Sequence, residues 1–255
     1  MRLLLWRHGQ TSWNNAGRFQ GQADVPLDET GARQADAVGP VIRALRPELV
    51  VSSDLLRCQQ TAARIGLPVR TDPRLREIDL GAWSGLTGAE AAVRFPAEDA
   101  AWRRGEDIRR GGGETYEEVA ERAYALLQEI LGEGGPADPA GLIVFVLHGG
   151  TARALIGRVL GVPPENWWVF GPLRNCRWSV LRREHGGFRL AEHNSGPLTT
   201  AVPAPDKVDN VGPERSVGSR RSAPNPLSEA LLPTQDGPTT ADTEPVHLQT
   251  RPTSG

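Results

Sequence analysis

The chain reads as an α/β protein, a three-layer α/β/α sandwich around a mostly parallel central sheet, and three observations predict it. Short apolar runs, too brief for helices, alternate with longer segments of helical periodicity through residues 1–196. One run, residues 142–147, is apolar without a break, as a strand covered on both faces must be. The helical segments carry stop and start signals where the periodicity changes, such as Asp28 before one and Gly66 and Pro68 after another.

In chain order, residues 2–6 form an apolar run with no room for a helix and are assigned to a first strand. Asp28 caps a helix over 29–45, with Ala35, Val38, Ile42 and Leu45 at helical spacing. Residues 49–51 make a second strand, followed by Ser52, Ser53 and Asp54 and a helix to Ile65. A short third strand falls near 68–70. A helical lid is expected over about 87–113. A long helix follows over 114–131, with Val119, Ala123, Leu126, Leu127 and Ile130 on one face. The run 142–147 leads through His148-Gly149-Gly150 into a helix over about 151–160. Two late strands, near 177–182 and 188–192, flank a Gly186-Gly187 turn.

Composition bounds the function. Of 255 residues, 38% are hydrophobic and 24% charged, which suits a soluble globular domain with extras. A net charge of −2 supplies no basic field, so nucleic acid is not an expected partner. Lys207 is the sole lysine beside many arginines, a pattern that coding bias produces and that phosphate or carboxylate recognition also exploits. Cys58 and Cys176 make neither a disulfide framework nor a zinc spacing, which fits a reducing cytoplasm. The N-terminal apolar run is shorter than a signal sequence, and no stretch approaches the ~18 apolar residues of a membrane span. The last aromatic residue is Phe188; residues 197–255 are rich in Pro, Ser, Thr and Asp and are expected to be a disordered tail, with 228–232 its one candidate helical turn.

In an open parallel sheet, ligands bind beyond the carboxyl ends of the strands. Here the first strand ends in Arg7-His8-Gly9, the second in Ser52-Ser53-Asp54 with Arg57 a turn later, and the buried run in His148-Gly149-Gly150. The glycines let backbone approach a ligand, and the helix after Gly149 aims free N–H groups at the same place. Arginines neutralise phosphoryl oxygens, a neutral histidine attacks phosphorus, and a carboxylic acid protonates the departing alkoxide.

The motif RHGQTSWN, residues 7–14, resembles the signature of the histidine phosphatase superfamily, which includes the cofactor-dependent phosphoglycerate mutases. FQGQADVPLDETGARQA, SSDLLRCQQTA, LREIDLGAWSG, GGGETYEEV and VLHGG continue the resemblance in order, over essentially all of residues 1–195. It implies a phosphoglycerate mutase-like fold and a phosphomonoester hydrolase that works through a phosphohistidine on a small phosphorylated metabolite, with no metal and no cofactor. Carried over, His8 is the nucleophile, Arg7 and Arg57 hold the phosphoryl group, and His148 hydrogen-bonds it. Glu77 is the proton donor, with Glu114 its competitor; Asn14, Gln20, Gly21 and Gly149 contact substrate. Thr11 and Thr151 are cap or pocket residues, Trp13 and Trp83 candidate pocket walls, Asp54 and Asp79 structural. His185 and His247 are expected to be exposed, and His193 has no assigned role.

HGGT and RHGQT favour a phosphatase over a mutase, where HGN and RHGES are usual, and the segment between Trp83 and Glu114 is compact. The lid carries Arg94, Arg103, Arg104, Arg109 and Arg110, either a solvated face or a source of one or two contacts to a second anionic group. GQADVPL and Asn166-Trp167 are similar to actinobacterial glucosyl-3-phosphoglycerate phosphatases. The alternatives are a phosphoglycerate mutase and a phospho-ligand-binding protein without turnover. A metallohydrolase would show HxH or HExxH and an α/β-hydrolase GxSxG, and neither occurs. The expected partner is a small phosphate ester, with no membrane and with a homodimer allowed.

Overall fold

The computed structural model describes residues 1–135 and 140–197. The expected tail beyond Pro197, with its 228–232 patch and His247, lies outside the described residues. Among the described residues are six strands: β1 (Arg2–Arg7), β2 (Leu49–Ser52), β3 (Arg70–Thr71), β4 (Leu142–Leu147), β5 (Trp178–Glu184) and β6 (Gly187–Ser195). Among the described residues, seven α-helices and several short 3-10 turns accompany them: α1 (Ser12–Ala16), α2 (Glu29–Ala44), α3 (Leu56–Ala62), α4 (Gly88–Arg94), α5 (Pro96–Arg103), α6 (Tyr116–Gly132) and α7 (Gly149–Val159).

The strands form one sheet in the order β3-β2-β4-β1-β5-β6. β3, β2, β4 and β1 run parallel, while β5 and β6 are antiparallel, so the sheet is mixed. β4 lies at its centre in register with β1, from Arg2 opposite Leu142 to Arg7 opposite Leu147, and all six of its residues are buried. The two-residue period of the strand splits them. Ile143, Phe145 and Leu147 join Leu3, Leu5 and the inner faces of α6 and α7. Leu142, Val144 and Val146 join Leu4, Trp6 and the inner faces of α2 and α3. This double burial is the reason the run has no polar member. A third cluster, with Phe19, Ile78, Leu80, Trp83 and Trp167, packs beneath α4 and α5.

Local chemistry sets the element ends. Asp28 caps α2 by accepting from Gly31 N, as its position predicts. Thr115 and Glu118 close a capping box that starts α6 two residues later than periodicity suggests. α7 begins at Gly149, two residues earlier than expected, with His148 as its N-cap. α1 has no counterpart in the sequence reading. It is a five-residue turn closed by a Thr11–Asn14 capping box, too short to show periodicity.

Candidate active site

Parallel pairing of β1 with β4 brings the carboxyl ends of both strands together, and with them His8 and His148. Their rings are 5.1 Å apart between centroids. Both are buried. His8 Nδ1 lies 2.7 Å from the carbonyl oxygen of Gly9. A carbonyl only accepts, so Nδ1 carries the proton and Nε2 keeps its lone pair. Burial, then the charges of Arg57 and Arg7, hold the His8 pKa well below the usual imidazole value. The same causes, burial first and then Arg57, lower His148.

Arg57, fully buried, commits three of its N–H groups to the protein. It donates from Nη1 to Ala23 O at 2.7 Å, from Nη2 to Gly21 O at 2.8 Å and from Nε to His148 Nδ1 at 3.2 Å. The last bond makes Nε2 the protonated nitrogen of His148, and it lies 3.0 Å from Ser53 Oγ. Gly21 holds the arginine through its carbonyl, in a left-handed conformation at φ +50°. Arg7 donates to Leu173 O at 2.6 Å, and its guanidinium lies 3.6 Å from where a Cβ on Gly149 would be, so it packs against the first turn of α7.

Glu77 is buried against the first turn of α7. Its Oε2 accepts from Gly150 N at 3.1 Å; its Oε1 accepts from Ile78 N at 2.9 Å, Thr151 N at 3.1 Å and the Thr151 hydroxyl at 3.2 Å. The helix N-terminus therefore orients this carboxyl. Glu114 is used otherwise. Arg122 takes both of its oxygens at 3.0 Å, and Asp79 N donates to it at 2.8 Å. Arg122 also donates to Glu77 O at 3.0 Å, so Glu114 braces the segment that carries Glu77.

Asn14 gives its oxygen to the capping box and also receives Asn175 Nδ2 at 3.4 Å. Gln20 is buried, and its Oε1 has no hydrogen-bond partner among the described residues, a cost that a ligand donor would lift. Thr11 and Thr151 are both fully buried: Thr11 caps α1, and Thr151 is held against Glu77. Asp54 forms a two-pronged pair with Arg76, which depresses its pKa, and Asp79 caps Gly81 N. Trp13 packs on Gly85, while Trp83 is fully buried against Phe19, Phe95 and Trp102 and is not a pocket wall. His185 is exposed in the hairpin turn; His193 bridges Ser179 Oγ and Gly171 O.

The lid arginines divide. Arg94 lies over Phe95, Arg103 pairs with Asp99, Arg104 with Glu106 and Arg109 with Glu118. Arg110 instead turns inward and is buried between the rings of Trp102 and Tyr116. Two contributors went unnoticed in the sequence, the Leu173 carbonyl and Asn175, which donates to His8 O at 3.0 Å; Ser53, placed at the end of the second strand, had no assigned role. Among the described residues, no three His, Cys, Asp or Glu side chains gather as a metal site, and no helix is long and apolar enough to cross a membrane.

Residues 3–196 match the family model described as the histidine phosphatase superfamily, branch 1. The chain belongs to this superfamily. The glucosyl-3-phosphoglycerate phosphatase of Mycobacterium tuberculosis is 40% identical over 188 residues, 71% of this chain and 84% of the relative. A Cronobacter sakazakii protein named "Probable phosphoglycerate mutase GpmB" is 36% identical over 172 residues, 64% of this chain and 76% of the relative. The solved mycobacterial glucosyl-3-phosphoglycerate phosphatase complexed with VO3 superposes with a TM-score of 0.72 at 39% identity, covering 76% of this chain and 99% of that one. The fold is that of these superfamily members, and the chain is a histidine phosphatase, a phosphoric monoester hydrolase.

Proposed function

We propose that His8 is the phosphorylated nucleophile and that the phosphoester cleaved belongs to a small sugar- or glycerate-type phosphate, of the glucosyl-3-phosphoglycerate class. The observation that carries the mechanism is the bond from His8 Nδ1 to the Gly9 carbonyl, which leaves Nε2 unprotonated inside a ring of cationic and N–H donors. The Nε2 lone pair attacks phosphorus, and the ester P–O bond breaks. Arg7, Arg57 and the Nε2–H of His148 neutralise the phosphoryl oxygens. Asn14, Gln20, Gly21 and Gly149 complete the substrate contacts. Glu77 gives its proton to the departing alkoxide, then takes one from water as that water attacks phosphorus. The P–N bond breaks, inorganic phosphate leaves, and Glu77 is protonated again. His8 keeps its Nδ1 proton throughout.

Residues 1–196 are the catalytic domain in this reading, with the 87–113 segment its lid. A cytoplasmic setting is supported by two buried, unpaired cysteines. The substrate class is supported by the relatives, which include glucosyl-3-phosphoglycerate phosphatases. The test is phosphate release from para-nitrophenyl phosphate by chelator-treated protein, beside His8→Ala. Turnover that survives chelation and vanishes in the variant is expected. Turnover lost on chelation, or retained by the variant, overturns the reading. A panel of esters then tests the substrate class: no preference for phosphoglycerate-type compounds would refute it.

A further inference from the structure

The chain from Arg76 to Leu80, which carries Glu77, belongs to no helix and to no strand. Its backbone groups must therefore find partners outside a regular ladder, and several of them find two side chains, Arg122 and Glu114. We propose that Arg122, on the second turn of α6, is a positioning residue for the proton donor: it holds the backbone of Glu77 while α7 holds the carboxyl, and so governs the cleavage of esters whose leaving oxygen needs a proton. The inference rests on the phosphohistidine reading above and deepens it.

Three observations carry it. The first is what Arg122 holds. Its Nη1 donates to Arg74 O at 2.7 Å and its Nη2 to Glu77 O at 3.0 Å, so one guanidinium pins two carbonyls of the same irregular segment. The second is how that guanidinium is itself held. Nε and Nη2 meet the two oxygens of Glu114 at 3.0 Å each, a two-pronged geometry that lysine cannot reproduce. The two side chains are only 19% and 24% exposed, so water competes little for the pair. Glu114 in turn grips Asp79 twice: its Oε2 accepts from Asp79 N at 2.8 Å, and its own N–H donates to Asp79 O at 2.9 Å. Arg122 and Glu114 thus clamp the segment before, at and after Glu77.

The third is the division of labour at Glu77. Its carboxyl receives the N–H groups of Gly150 and Thr151, and its carbonyl receives Arg122. α7 sets the oxygens, and α6 sets the peptide from which the side chain hangs. Among the described residues, the one other donor to Glu77 O is Gln22 Nε2, at a long 3.3 Å. Without Arg122 the carboxyl keeps its partners on α7 while the backbone behind it loses its main anchor. A proton donor must meet the leaving oxygen in line and at hydrogen-bond distance, so a shift of this anchor reaches the chemistry through Glu77 alone.

The test uses the full chain and measures kcat/KM, which reports the steps up to phosphorylation of His8, for monoesters graded from para-nitrophenyl through phenyl to alkyl phosphate. In Arg122→Met the alkyl ester should lose about ten- to hundredfold and the para-nitrophenyl ester less than about threefold, the pattern of a displaced proton donor. Arg122→Lys keeps the charge without the fork; its losses should fall between those of the native protein and Arg122→Met, and it keeps the test available if the methionine variant does not fold. In a Glu77→Gln background, Arg122→Met should cost less than about twofold more on the phenyl ester, because two changes that act through one group do not add. Equal losses across the series, no loss at all, or the full loss repeated in Glu77→Gln overturns the positioning role and leaves the phosphatase reading standing. Alkyl turnover that Glu77→Gln does not lower overturns the role given to Glu77, and the inference with it.

Discussion

Gly150→Ala isolates the role of Glu77 from the stability of the fold. The new Cβ would lie 2.6 Å from Glu77 Oε1 and 3.2 Å from its Cδ, where ordinary contact begins at 3.4 Å. The carboxyl must retreat by about 0.8 Å, because α7 is anchored through β4 and cannot yield. The N–H bonds from Gly150 and Thr151, each 3.1 Å, lengthen with it. A displacement of this size costs about a hundredfold in rate when it moves a catalytic group. The loss should fall on alkyl phosphates, whose leaving oxygen needs the proton, and much less on para-nitrophenyl phosphate, whose phenolate leaves without it. Alanine is favoured over glycine in a helix by about 1 kcal/mol, which offsets the local strain, so thermal stability should change by only a few degrees. The assay is kcat/KM on both esters, which reports the steps up to phosphorylation of His8 and not the shared hydrolysis that follows, with a melting curve. Alkyl turnover within about threefold of the native protein, or equal losses on both esters, would refute the reasoning.

Three further outcomes follow from the same geometry. The Thr151 hydroxyl has one hydrogen and two acceptors, Arg76 O at 2.8 Å and Glu77 Oε1 at 3.2 Å, so it can serve Glu77 as carboxylate and turn away when Glu77 carries the proton. Thr151→Val should lower kcat on alkyl esters about tenfold, and Thr151→Ser should restore it. Arg57→Lys removes the three-way hold on Ala23, Gly21 and His148, which one ammonium cannot reproduce; kcat/KM should fall at least a hundredfold, by about the 3 kcal/mol of a lost buried charge-assisted network. His8 and His148 both have lowered pKa values, so the native state stays neutral at these rings where the unfolded chain takes up protons. Their contribution to stability is complete above the ordinary histidine value of about 6.5 and is lost as pH falls from there through the depressed folded values. Catalysis should show no acid limb from His8 near 6.5, while a denaturant titration should show stability falling below it.

The parts of the fold legible in the sequence are those with one strong local cause. β4 announced itself because both faces are covered, and α2 because Asp28 caps an evenly spaced apolar stripe. The two histidines were legible because each ends a strand and precedes glycine. The late hairpin, β5 and β6, was legible from the Gly186-Gly187 turn, but the antiparallel pairing of β5 with β1 was not, since direction there depends on where the chain returns. Asn175 and the Leu173 carbonyl were invisible because they reach His8 and Arg7 across more than 160 residues of chain, one of them through backbone alone. Glu77 and Glu114 could not be separated by spacing. The structure separates them by partners: Glu77 meets the α7 N-terminus, and Glu114 is held by Arg122. The lid arginines were a charged stretch in the sequence, and only packing against Trp102 and Tyr116 distinguishes Arg110 from its neighbours.

The central claim is that phosphate passes through His8. Rapid acid-free quenching during steady turnover of a phosphate ester, followed by peptide mass mapping, tests it most directly. A phosphoryl adduct that is acid-labile and base-stable, confined to the peptide carrying His8 and absent from His8→Ala, is the predicted result. Sustained turnover with no adduct on His8, or an adduct on another residue that His8→Ala leaves in place, would contradict the account.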